Sequence, residues 1–382
     1  MAKVALVKCS DYKQERVDKA VRQALSLIGG IESFVKKGDK VLLKPNLLSA
    51  SRPEKAVTTH PAVVKAMIKV VQETGGIPLV GDSPGFGSLG RIARTTGIKE
   101  VCDEMKVRLA DFSTSIEVKC PEGAICRAFV IAKGVVESDL LISLPKLKTH
   151  NQTYLTGALK NQFGCIPGIL KGQYHVKMPK REDFATMLID LNKCVKPKLA
   201  LMDAIIGMEG EGPSNGDPKS IGLIIAGTDL VAVDVVASKI IGLNPLSLPL
   251  TKMAIKYGLG EGRLERIEVL GEALDEVKVK DFKNIQKIVD IYNVGPLPNL
   301  IKERIRESLI PKPVFDSEKC NLCLTCIEVC PPQPKALRVE DERIVVDYKK
   351  CIRCYRCQEL CPQGAIRLKT GILGRIANKL PL

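Results

Sequence analysis

Two runs near the C-terminus space their cysteines identically. Cys320, Cys323, Cys326 and Cys330 precede Pro331, and Cys351, Cys354, Cys357 and Cys361 precede Pro362, so each run reads C-x2-C-x2-C-x3-C-P. Three closely spaced thiolates can wrap three corners of an iron–sulfur cubane, while the fourth, held by the proline, points away to a second cluster. The spacing therefore predicts two [4Fe–4S] clusters. Cys320, Cys323, Cys326 and Cys361 would hold one, and Cys351, Cys354, Cys357 and Cys330 the other. C-x2-C is also zinc spacing. Zinc, however, does not usually need four cysteines per run with a terminal Cys-Pro, and the near-duplicate halves favour an internal two-fold.

The stretch from Phe315 to Leu368 resembles a bacterial-type two-cluster ferredoxin, which implies one-electron transfer and a redox protein partner. Lys349, Lys350, Arg353 and Arg356 crowd the second run. Positive charge there would raise that cluster's potential or receive an acidic donor; the plainer reading is a solvated face.

A second set of chemically capable residues lies upstream. Lys44-Pro-Asn46, Asp82-Ser-Pro-Gly85, Lys146-Leu-Lys148-Thr-His150 and Asp203 each follow a short apolar run. Polar clusters at strand ends are where open α/β sheets bind ligands. His150, Asp82, Lys146 and Lys148 are the candidates for catalysis, the lysines orienting an anion and His150 or Asp82 handling protons. Lys44, Asn46, Lys160 and Asn161 are the candidates for holding a cofactor or ligand. The plainer reading of the lysines is that they are solvated or cover apolar surface with their stems. The three histidines, His60, His150 and His175, show no ligand spacing such as H-x3-H, although with Asp82, Asp203, Glu209 or Glu211 they could serve a divalent metal. Cys165 is either a reactive or a buried thiol, and burial is the better expectation. Gly85-Phe-Gly87-Ser-Leu-Gly90 fits G-x-G-x-x-G, but Asp-Ser-Pro precedes it where a tight strand-to-helix glycine turn should begin, so a nucleotide or flavin phosphate is weakly indicated.

These residues need a scaffold, and the apolar pattern supplies one. Strands are expected at 3–8, 40–44, 77–81, 140–144, 199–202 and 221–226, from short Val/Leu/Ile-rich runs. Helical spacing recurs over 15–28, 61–74, 181–194 and 230–241, with Pro61 suited to a first helical turn. Alternation of this kind predicts an α/β fold: a mostly parallel-sheet α/β domain followed by a small α+β ferredoxin-like iron–sulfur domain. The expected boundaries are 1–289 for the α/β domain, 290–313 for a linker rich in Pro and Gly, 314–370 for the iron–sulfur domain, and 371–382 for a basic tail.

Taken as a set, Leu43-Lys-Pro-Asn46, Thr58-Thr-His-Pro61, Gly81-Asp-Ser-Pro-Gly85, Pro145-Lys-Leu-Lys-Thr-His150, Gly157-Ala-Leu-Lys-Asn161 and Asp229 to Asp234 resemble the family called domain of unknown function 362. The resemblance covers roughly residues 4–270, and members of that family often carry a two-cluster ferredoxin module. It implies no reaction.

The net charge is +15, from 58 Lys and Arg against 43 Asp and Glu. From Pro313 onward the surplus is only 4 (12 against 8), which leaves 11 to the α/β part. Two oxidised clusters of roughly −2 each would cancel the smaller surplus. The larger one suits an anionic small-molecule ligand or an acidic partner. With no Trp and 4% aromatic residues, base stacking on nucleic acid is not expected. No apolar run approaches the length of a transmembrane helix, the N-terminus reads as a strand rather than a signal, and the scattered cysteines suit a reducing compartment, so a cytoplasmic location is expected. The expectation for function is an iron–sulfur oxidoreductase of an anaerobic or microaerobic cell, passing single electrons to or from a cleft in the α/β domain. Two-electron chemistry there would need a flavin-like cofactor or a divalent metal. The alternatives are a ferredoxin-like carrier whose large domain only docks it on a partner complex, and an iron–sulfur redox sensor.

Overall fold

The computed structural model describes residues 1–285 and 309–371. They form two compact units, one of Met1–Lys171 with Ala185–Asn284, the other joining Gly172–Phe184 to the C-terminal residues. Of the expected linker 290–313, residues up to 308 lie outside the described residues, as does the tail from 372.

The first unit is built on one mixed, mostly parallel sheet. Its strands are β1 (Ala2–Lys8), β2 (Lys40–Pro45), β3 (Ile77–Val80) and β4 (Arg108–Leu109), then, after the separate hairpin β5 (Ser115–Lys119) and β6 (Ala128–Ala132), β7 (Leu140–Leu144), β8 (Lys146–His150) and β9 (Tyr154–Thr156). Two long strands, β10 (Leu199–Glu209) and β11 (Asp217–Gly227), and β12 (Ile267–Gly271) complete it. The spatial order is β12-β1-β11-β10-β7-β2-β3-β4, with β8 paired to β10 and β9 to β8. Only β11 and β9 run against their neighbours. The C-terminal ends of β1, β2, β3 and β7 therefore share one edge of the sheet, where the strand-end motifs collect.

Burial on both faces explains the near-continuous apolar runs of these strands. Ala5 and Val7 of β1 face the helices Gln14–Leu27 and Pro61–Glu73 within the main core, while their alternates Val4 and Leu6 are fully buried too. Each such Leu, Ile or Val contributes about 1.5–3 kcal/mol relative to exposure. Pro61 opens its helix as expected, and the preceding His60 is the N-cap, its Nδ1 accepting from Ala62 N at 3.2 Å.

The structure departs from the sequence reading at one informative point. Residues 146–150, expected only as a polar cluster beyond the end of β7, form strand β8, because β10 runs on to Glu209, well past the expected Met202, and offers its edge as a partner. Asp203 N donates to Pro145 O at 2.9 Å, carrying the pairing across the proline, which has no N–H of its own.

In the second unit β13 (Lys312–Phe315) pairs with β16 (Ile366–Lys369), and β14 (Leu337–Glu340) with β15 (Arg343–Val346), all antiparallel. The α/β class with a small ferredoxin-like region of short strands follows the sequence reading. Each cysteine run carries one four-residue helix, Thr325–Glu328 and Arg356–Glu359.

Candidate functional site

The two cysteine runs adopt one backbone twice. Leu322 and Arg353, each just before the second cysteine, have φ of 54° and 58°, and Leu324 and Tyr355, each just after it, have φ of 60°. A left-handed conformation costs a non-glycine residue about 1–2 kcal/mol, so four at matching positions indicate a local structure shaped around something those residues enclose. The thiols sort into two quartets. Cys320, Cys323, Cys326 and Cys361 line one pocket together with Phe315, Ile344 and Ile366. Burial, with the neighbouring thiols Cys361, Cys320 and Cys323 adding to it, pushes the Cys326 thiol up to about 12. Cys354 is likewise held at about 12, mainly by burial, with Cys351 and Cys330 as its thiol neighbours. Cys357 is also raised by burial, and it faces Cys354 and Cys351 before Cys326 and Cys330. Cysteines gathered in this way, some buried and Cys323 exposed, are suited to a cationic group that binds thiolates. The donor set fits an iron–sulfur cluster.

In the first unit the polar strand ends meet in one buried network. Lys44, fully buried at the end of β2, places Nζ 2.7 Å from Asp82 Oδ1 after β3. Asp82 Oδ2 accepts from Leu47 N at 2.7 Å, and Lys44 Nζ also reaches Asn161 Oδ1 at 3.3 Å. Asn161 Nδ2 donates to Lys44 O at 3.1 Å and to Ser143 Oγ at 3.0 Å, and Asn46 Nδ2 lies 3.4 Å from Asn161 Oδ1. Gly164 backs directly on the pair, since a Cβ there would collide with Asp82 Oδ1 and sit 2.6 Å from Lys44 Nζ. Lys44, Asn46, Asp82 and Asn161, expected in two different roles, are thus one cluster.

A second pair is centred on Asp203. Lys146 Nζ lies 2.8 Å from Asp203 Oδ2, with 1% and 0% of the two side chains exposed. Asp203 also accepts from Tyr12 Oη at 2.8 Å and from His60 N at 2.9 Å, and Lys146 donates to Tyr12 Oη at 2.8 Å. The Tyr12 and His60 rings stack at 3.6 Å between centroids, 9° from parallel. Burial pulls the Lys146 ammonium down from its ordinary value against the opposing pull of Asp203, and burial lowers His60 to about 4. The two clusters join through Thr59, whose Oγ1 accepts from Asn46 N at 2.9 Å and donates to Leu144 O at 2.6 Å.

Strand alternation puts Lys146, Lys148 and His150 on one face of β8, all buried. Lys148 Nζ donates to Val57 O at 2.6 Å, and His150 Nδ1 accepts from Gln152 N at 3.0 Å. Lys160 places its Nζ 5.4 Å from the centre of the Phe163 ring. Cys165 is fully buried, and burial takes its thiol to about 12, which suits the expectation of an inert buried thiol. Among the described residues no three His, Cys, Asp or Glu side chains gather as ligands of a single metal ion. Gly85 and Gly87 precede only a seven-residue helix, Leu89–Thr95, which contains Gly90 and whose N-cap Ser88 makes no side-chain capping bond.

Two residues of the network were given no role in the sequence reading, and Asp234 entered it only as the end of the motif Asp229 to Asp234. Tyr12 sits alone after β1 with no motif around it, although its place just beyond a strand end was a usable signal. Asp234, inside a helix, accepts from Ala158 N at 2.6 Å and Leu159 N at 3.1 Å and so anchors the segment that carries Asn161; burial raises its carboxyl to about 7.

The fold and the thiol site define an α/β protein with an attached 4Fe–4S electron-carrying module. Residues 312–362 match the family described as 4Fe-4S dicluster domain. The chain as a whole belongs to the family described as Domain of unknown function (DUF362), which residues 41–239 match. Among its relatives is the thylakoid-associated protein sll1697 of Synechocystis sp. (strain ATCC 27184 / PCC 6803 / Kazusa), 36% identical over 67% of this chain and 79% of that protein. The lactate racemase apoprotein from Thermoanaerobacterium thermosaccharolyticum is 16% identical with a TM-score of 0.38, over 62% of this chain; the chain spans 56% of that structure's length. Among the described residues no helix is long and apolar enough to cross a membrane.

Proposed function

We propose that the protein is an iron–sulfur oxidoreductase that exchanges single electrons with a redox protein partner and acts on an anionic ligand at the strand ends of the α/β unit. The observation that carries the electron-transfer part is the division of eight cysteines into two quartets on a duplicated backbone. Cys320, Cys323, Cys326 and Cys361 would hold one [4Fe–4S] cluster, and Cys330, Cys351, Cys354 and Cys357 the other. Such clusters supply one-electron transfer when bound.

In the α/β unit, Lys44, Asn46, Asn161 and Lys160 would bind and orient the ligand. Lys146 and Lys148 would place positive charge beside it. Asp82 and His150 would move protons, Asp82 through its contact with Lys44 and His150 through its Nε2, since its Nδ1 already accepts from backbone. Fourteen cysteines without a disulfide suit a cytoplasmic, oxygen-poor setting.

A second reading, that the large unit only docks an electron carrier, draws on a specific observation. Lys44 and Lys146 already face Asp82 and Asp203, so these two pairs present no net charge to an anion.

Anaerobically purified protein decides between them. About eight iron and eight sulfide per chain with an additional extractable flavin or small anion supports the oxidoreductase. The same content with nothing else supports the carrier, and zinc in place of iron refutes both.

A further inference from the structure

The duplicated cysteine runs allow the two cluster sites to be compared position by position, because the backbone is the same in both. Two residues beyond the first cysteine stands Leu322 in one run and Arg353 in the other, with φ of 54° and 58°. Five residues beyond it stand Thr325 and Arg356. At both of these positions the second run carries a cation where the first has an uncharged residue. No Lys, Arg, Asp or Glu lines the cavity of Cys320, Cys323, Cys326 and Cys361, whose polar lining is Asn321 and Gln363.

The other quartet lies among cations. Arg353 and Arg356 are 7% and 6% exposed, so their charge acts through protein rather than water. Arg353 stacks on Tyr348 with its guanidinium 4.9 Å from the ring centre. Lys335 Nζ donates to Ile327 O at 2.7 Å and lies 3.3 Å from Glu328 O, in the turn that leads into Cys330. Lys349 and Lys350, which the sequence grouped with these arginines, are exposed, and Lys350 lies 3.2 Å from Asp347, so they contribute little.

Adding an electron makes a thiolate-bound cluster more negative, and nearby positive charge of low solvent exposure favours that state. We infer that Arg353, Arg356 and Lys335 make the site of Cys330, Cys351, Cys354 and Cys357 the first of the two to be reduced, so that an electron accepted by the chain from a one-electron donor comes to rest there. The inference rests on the two-cluster reading above and adds an order to it.

The test is an anaerobic redox titration of the full-length, iron-loaded protein with dithionite, followed by electron paramagnetic resonance. The wild type is expected to show two separated reduction steps. Arg356→Gln should move the higher-potential step downward and leave the lower one in place. Thr325→Arg, which puts the same charge at the matching position of the other run, should move the lower step upward and narrow the gap. Lys335→Met, at a partly exposed position, is a milder version of the first variant should Arg356→Gln fail to retain iron. Coincident wild-type steps, or a shift of the lower step in Arg356→Gln or Lys335→Met, would overturn the order. An iron content of about four per chain would instead overturn the two-cluster reading beneath it.

Discussion

The Lys146–Asp203 pair gives the sharpest check on the α/β network, because its two halves are supported unequally. Both side chains are at most 1% exposed, and removing one partner of such a pair costs about 3–5 kcal/mol by leaving a buried charge uncompensated. Without Lys146, Asp203 still accepts from Tyr12 Oη, from His60 N, and from Ile205 N at 3.3 Å. Without Asp203, the ammonium of Lys146 retains only Tyr12 Oη among the contacts described above. Asp203→Leu should therefore lie at or above the top of that range and Lys146→Met near the bottom, a difference of about 1–2 kcal/mol. The double variant removes both charges and should recover part of the loss. His60 N still loses its acceptor, which keeps about 1–3 kcal/mol of the cost. Urea unfolding of the anaerobic holoprotein, followed by far-ultraviolet circular dichroism, measures all four. If Lys146→Met is as damaging as Asp203→Leu, or the double variant is worse than either single one, the network is not organised around Asp203 as described.

Four further outcomes are expected. His60 has its pKa lowered by burial to about 4 from 6.5; the unfolded chain binds the extra proton between those values, so this stability is present above pH 6.5 and lost on acidification through pH 4, about 3 kcal/mol at most. His60→Asn, which retains a helix cap, should flatten that part of a stability–pH curve. Asp234 acts with the opposite sign: raised to about 7 from 3.8, it contributes stability that is full below pH 3.8 and lost as pH rises through 7, so Asp234→Asn should be least damaging at alkaline pH in the same titration. Gly164→Ala should displace the Lys44–Asp82 pair and lower the melting temperature of the first unit, whereas Gly38→Ala, where a Cβ meets nothing within 4 Å although φ is 90°, should cost only the roughly 1 kcal/mol of a strained backbone. Cys357→Ser should reduce iron content and remove one reduction step while the far-ultraviolet spectrum of the α/β unit persists; loss of soluble protein altogether would mean that the two units do not fold separately.

The 4Fe–4S module was legible in the sequence because its signature is local: cysteines three residues apart stay close whatever surrounds them. The helices at 14–27 and 61–73 were legible for a similar reason, as an apolar period of 3.6 is a local property. So was the placing of Lys44, Asn46 and Asp82 at strand ends, since a polar cluster after a short Val/Leu run marks where a buried strand stops.

What the sequence could not supply was which charge meets which. Lys44 and Asp82 are 38 positions apart, Lys146 and Asp203 57, and Tyr12 and Asp203 191. These meetings depend on the strand order β1-β11-β10-β7-β2-β3, and no local period encodes it. The same holds for β8, whose alternating Lys-Leu-Lys-Thr-His could be read as a polar loop until β10 extended far enough to pair with it. Strand order also set the charge balance of the site: Lys44 and Lys146, which read as anion receptors in the chain, stand once folded beside Asp82 and Asp203.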